Sequence, residues 1–263
     1  MLIETYPSFR KIWDGSVESW LEYINEYPEL FEKIVRDFER NKLDFRKYTG
    51  VLLKRNATEL ELAYNSLLNT FPKVERKIQQ YFEINNYNIV IYVGLENGAG
   101  WVTEFMGKPS LLFGLEAISE LRWYEKLQGL IAHEFGHLVH WHLRGENIEK
   151  FENEPIFCLY VEGFAQRIED LIMGRPWHVE EEGWFNWCEE NEAILKREFL
   201  RRIKEREALN PFFGYWYELF GKRFTGYYLG YKFILWLEEQ HTLEEIAKLR
   251  EEDIKRKIYN FVI

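Results

Sequence analysis

Two histidines flank a glutamate in the run His133-Glu134-Phe135-Gly136-His137. On a helix, residues four apart lie about one turn above each other, so both imidazoles can meet one cation from the same face. Glu134 is rotated by roughly 100° from His133, which keeps it out of the ligand pair yet beside whatever the cation holds. Its carboxylate is placed to take a proton from a water there. Of the 6 histidines in the chain, His133, His137, His140 and His142 fall within ten positions. That clustering favours a metal site over scattered structural histidines.

The geometry requires a helix with a buried face. From Ser119 to the motif the only breaker is Gly129, and apolar Leu121, Tyr124, Leu127, Leu130, Ile131 and Phe135 recur at helical spacing, which predicts one continuous helix. Upstream, the β-branched run Asn88–Val93, bounded by asparagines and by Gly94 and Gly98-Ala99-Gly100, predicts a strand. Trp101–Phe105 and Ser110–Leu115 predict two more, with Gly107-Lys108-Pro109 marking the turn between them. A small sheet is therefore expected against the motif helix, and an exposed edge strand could pair with an extended peptide.

The flanks read as helices. From Ser16 to about Ile84, helix starts are expected at Pro28, at the Thr58-x-x-Glu61 capping box and at Pro72, and Leu30, Phe31, Ile34, Val35 and Phe38 give one helix a buried stripe. After the motif, Arg144-Gly145 ends its helix. Asn153-Glu154-Pro155 opens another that carries Glu162 and runs to Met173, before Gly174 and Pro176. Residues 177–188 read as a loop, Glu189–Glu207 as a charged helix stopped by Asn210-Pro211, and Thr242-x-x-Glu245 as a further cap. The expected class is α+β, mostly α-helical, with a small mixed sheet on the HExxH helix. A single unit, 1–263, is expected to comprise an N-terminal helical region (1–84), a sheet and motif-helix region that includes the Glu162 helix (85–175) and a C-terminal helical region (176–263).

A catalytic zinc takes three protein ligands and keeps one position open. The extended metzincin pattern would need glycine where His140 stands and histidine where Leu143 stands; the thermolysin-like and aminopeptidase-like spacings would need glutamate at Phe157 or Ile156. None is met. What remains is Glu162 in Tyr160-Val161-Glu162-Gly163-Phe164-Ala165, separated from His137 by 24 residues. Three segments in order now resemble the thimet oligopeptidase and oligoendopeptidase family of zinc peptidases: His133 to His140, Val161-Glu162 followed by Gln166 and Glu169, and Tyr227-Tyr228-Leu229-Gly230-Tyr231. The resemblance implies a zincin-like fold, zinc held by His133, His137 and Glu162, and Glu134 as the base. It also points to Tyr228 and Tyr231 as groups facing the substrate carbonyl; three apart on a helix, their hydroxyls could reach one oxyanion. That family's chains are more than twice as long, and this tyrosine segment has one residue fewer. Short HExxH proteins regarded as zinc proteases are a comparable match.

Glu169, seven residues after Glu162, could accept a hydrogen bond from a ligating imidazole, and His140 reads as a packed histidine. The formal charge of -10 argues against a nonspecific nucleic-acid binder. Cys158 and Cys188 are too few for a disulfide scaffold, no leader pattern opens the chain and no apolar run of membrane length occurs, so a cytoplasmic protein is expected; a peptide substrate is what the resemblance implies. The oligomeric state is left open. Two rival functions stand beside the peptidase: a noncatalytic peptide-binding or structural module with a bracing metal closed by a fourth ligand, and a metallohydrolase of another amide or ester.

Overall fold

The computed structural model describes residues 1–40, 56–95, 98–214 and 216–263. Residues 41–55, inside the stretch expected to be helical, lie outside the described residues, as does the side chain of Phe38. The chain forms two compact units, Met1–Glu134 and Phe135–Ile263. The division falls inside the motif helix.

The first unit holds strand β1 (Leu2–Glu4), helices α1 (Tyr6–Ile12), α2 (Val17–Asn25), α3 (Pro28–Arg40) and α4 (Ala57–Ile78), strands β2 (Asn88–Tyr92), β3 (Gly100–Phe105) and β4 (Lys108–Gly114), helix α5 (Leu115–Leu121) and the start of α6 (Leu127–Arg144). The sheet has the order β1-β2-β4-β3. β2 is parallel to both β1 and β4, whereas β3 runs antiparallel to β4 and, among the described residues, forms an edge. Every residue of β2 is buried, as expected for a β-branched strand paired on both sides. At its end Trp20 Nε1 donates to the Val93 carbonyl at 3.1 Å, and the Tyr23 hydroxyl lies 2.5 Å from Thr5 Oγ1 and accepts from Val93 N–H. Large rings are thereby buried with their polar tips satisfied.

Several expectations are corrected here. The cap of α4 is Asn56, whose side chain accepts from Thr58 N–H; Glu61 pairs with Arg10 at 3.0 Å instead of closing a box with Thr58. Pro72 lies inside the 22-residue α4 and begins nothing, because the helix sacrifices one backbone bond and continues on buried Phe71 and Val74. The helix expected from Ser119 is broken: Arg122 turns left-handed (φ 51°) after α5, and α6 restarts at Leu127. β1 carried no sequence signal, since three residues are too few to show alternation.

The second unit continues α6 and adds 3-10 turns at Ile148–Asn153 and Pro155–Phe157, then α7 (Cys158–Met173), α8 (Trp184–Glu190), α9 (Glu192–Glu205), α10 (Asn210–Phe213), α11 (Thr225–Glu238), α12 (Leu243–Ala247) and α13 (Glu251–Val262). The helix expected to open at Asn153 is thus preceded by tight turns and starts at Cys158, and the supposed loop 177–188 contains the start of α8. The Thr242 box forms in full, with Glu245 N–H donating to Thr242 Oγ1 at 3.2 Å and Thr242 N–H to the Glu245 carboxylate at 2.8 Å. Helices α7 and α11 meet backbone to backbone: a Cβ on Gly230 would lie 2.7 Å from the Leu159 carbonyl oxygen and 2.8 Å from Gly163 Cα. The α+β class, mostly helical with a small mixed sheet, is what the chain adopts.

Candidate metal centre

The motif lies on α6, near the middle of an 18-residue helix, and His133, Glu134 and His137 are all buried. A buried motif places its imidazoles where water competes little for their nitrogens. Glu162 sits one turn into α7, and its Oε2 is 3.5 Å from His137 Nε2. One ligand atom from each of His133, His137 and Glu162 lies within 4.8 Å of the others. Two ligands of a tetrahedral zinc at the usual bond lengths are about 3.4 Å apart. The spacing and the donor set, two imidazoles and a carboxylate, therefore fit a divalent cation.

Close packing holds the helices to this geometry. A Cβ on Gly136 would lie 2.6 Å from Ala165 Cα, so α6 and α7 approach at the level of the ligands only because that position is glycine. The Glu162 side chain keeps 24% exposure, which leaves an approach to the cluster from its side. Glu134 meets the sheet: a Cβ on Gly100, the first residue of β3, would stand 2.6 Å from both Cγ and Oε1 of Glu134. The candidate base is thus in contact with the head of the edge strand.

No family model, curated protein or solved structure matches the chain. His133 and His137 of the HExxH motif, both buried, form with the half-buried Glu162 a cluster suited to a divalent metal, consistent with a zincin-type metallopeptidase.

Tyr228 is buried and donates to Glu192 Oε2 at 2.8 Å, while the half-buried Tyr231 donates to Asp170 Oδ2 at 3.1 Å. The two hydroxyls share a helix but rest on different carboxylates. Burial and Asp170 push the Tyr231 hydroxyl up to about 12, and burial with Glu192 raises that of Tyr228 further, so both are protonated donors at neutral pH. His140 stands outside the cluster, stacked on Phe164 at 4.4 Å, with Nε2 3.0 Å from the Tyr160 hydroxyl. Tyr160 in turn donates to the Ile246 carbonyl at 2.7 Å, which makes His140 Nε2 the donor to Tyr160. Burial, helped by the nearby His137 and Arg144, holds His140 well below the usual histidine range.

Glu169 is fully buried and accepts hydrogen bonds from Gln166 Nε2 at 2.8 Å and from both the backbone N–H and Nδ1 of His178 at 2.7 Å. His133, Glu169 and His178 also offer ligand atoms within 4.8 Å of one another. His178 was not singled out in the sequence. It lies nine residues beyond Glu169, past a turn, with no periodicity to connect the two.

Proposed function

We propose that the chain is a zinc-dependent peptidase hydrolysing peptide bonds, with His133, His137 and Glu162 holding the metal and Glu134 serving as general base. The buried cluster of two imidazoles and a half-buried carboxylate, with Glu134 one residue along the same helix, carries this reading. Zinc bound there would polarise a substrate carbonyl and acidify a water. Glu134 takes the proton of the attacking water and passes it to the amide nitrogen as the carbon–nitrogen bond breaks, so that the new carbon–oxygen bond forms without release of a strong base. Of the two tyrosines we favour Tyr231 as donor to the carbonyl oxygen because it is half-buried where Tyr228 is buried; each would exchange one carboxylate, Asp170 or Glu192, for substrate. One well-placed donor of this kind contributes roughly 3 kcal/mol to the transition state.

A peptide is favoured over other amides by β3. It is an edge strand whose first residue touches Glu134, so an extended backbone paired along it would run beside the base. Likeness to the thimet oligopeptidase family in three segments supports the same substrate class. The test joins metal analysis of the purified protein to a panel of peptides, blocked and unblocked at each end, with and without chelator. Glu134→Gln is expected to keep its zinc and lose at least about 100-fold in turnover; undiminished hydrolysis by that variant overturns the assignment.

A further inference from the structure

We propose that His178 is a positioning residue of the metal cluster, acting on His133 through Glu169. This rests on the reading that His133, His137 and Glu162 hold a cation. A carboxylate with no solvent exposure is costly to keep charged unless donors replace its lost water. Glu169 has three such donors, and two of them, the backbone N–H and Nδ1–H, come from His178 alone, both at 2.7 Å. Gripped at both oxygens, the carboxylate cannot swing. It is held where ligand atoms of His133, Glu169 and His178 are within 4.8 Å of one another.

The loop that delivers His178 is itself fastened to α7. The neighbouring Trp177 donates from Nε1 to Asp170 Oδ1 at 3.2 Å, and Glu180 takes both Trp177 N–H and the Arg175 guanidinium. Consecutive carboxylates of α7, Glu169 and Asp170, thus receive consecutive residues of the loop. The arrangement reads as a built support. A second cation seat on Glu169 and His178 is disfavoured, because both Glu169 oxygens already accept hydrogen bonds. A fixed negative charge beside a ligating imidazole orients the ring and strengthens it as a donor to metal, and loss of such a support commonly costs 10-fold or more in metal affinity.

The test is zinc affinity of the metal-free protein, read by competition with a chromophoric chelator, together with the visible absorption of the cobalt(II)-substituted form. His178→Ala removes the ring donor and is expected to weaken zinc binding by about 10-fold or more and to shift the cobalt spectrum. His178→Asn, whose side-chain N–H can replace Nδ1–H, is expected to stay within about threefold of the parent. Should His178→Ala fail to fold, His178→Phe, which fills the volume without the donor, takes its place. Parent-like zinc affinity in the donor-less variant, or equal weakening in the asparagine variant, overturns the proposal while leaving the peptidase reading intact. A parent protein that binds no divalent cation overturns both.

Discussion

Gly100 and Glu134 meet closely enough that one methyl group decides whether the base keeps its place. Gly100→Ala puts a Cβ 2.6 Å from the Glu134 carboxylate, whose side chain is buried and must turn aside. Zinc affinity should be unchanged, since the ligands are untouched, while peptide turnover falls by about 10-fold or more, as a displaced proton acceptor requires. Steady-state kinetics beside a zinc titration will show whether the loss is confined to turnover. His140 makes a prediction of opposite character, in stability. Its folded-state pKa lies below the value near 6.5 of the unfolded chain. The unfolded state therefore takes up the proton first, so the stability that neutral His140 contributes is complete above about pH 6.5 and is lost as pH falls toward the folded value. Melting of the metal-free protein between about pH 7.5 and 5.5 should show a smaller decline in His140→Phe than in the parent, because phenylalanine keeps the stack on Phe164 and has no proton to gain.

Helices α7 and α11 depend on small residues at their crossing. Gly→Ala at an exposed helical position normally stabilises by about 1 kcal/mol. At Gly163 the added Cβ would run into the Gly230 carbonyl oxygen, and at Gly230 it would meet the Leu159 carbonyl and the Gly163 backbone. Overpacking against rigid backbone reverses the sign, and Gly163→Ala is expected to destabilise by about 3 kcal/mol. Urea unfolding gives the value; a neutral or stabilising change would mean that the helices do not touch there. Because α7 also carries Glu162, the same variant should bind zinc more weakly.

For the molecule as a whole, metal and folding are linked. A cation bound only by the folded chain at about 100 times its dissociation constant adds about 2.7 kcal/mol, which for a chain of this size is a rise in Tm of roughly 5–10 °C. Addition of zinc to the metal-free protein should produce that rise, chelator should reverse it, and Glu162→Ala should abolish it. Among the described residues no helix is long and apolar enough to cross a membrane.

The motif on α6, the strands around Asn88, Trp101 and Ser110, the Thr242 cap and the class of fold were legible in the sequence because each rests on local spacing: four residues for a ligand pair, a β-branched run for a strand, three residues for a cap. Glu162 was reachable as a candidate from its segment, but its 3.5 Å approach to His137 was not, since that depends on Gly136 letting α6 settle against Ala165. The break at Arg122 is closed by local carbonyls of Ile118 and Ser119, whereas the strand β1 and the continuation of α4 through Pro72 lean on partners far along the chain, β2 and Phe113. The same is true of the site's surroundings. Glu169 was visible as a residue on the right face of its helix, yet its partner His178 comes from beyond a turn, and Gly100 reaches Glu134 from the head of a strand. Local sequence determines which side chains share a helix face, because helix geometry is periodic; which other segments those side chains touch is settled only when close-packed backbones choose their neighbours.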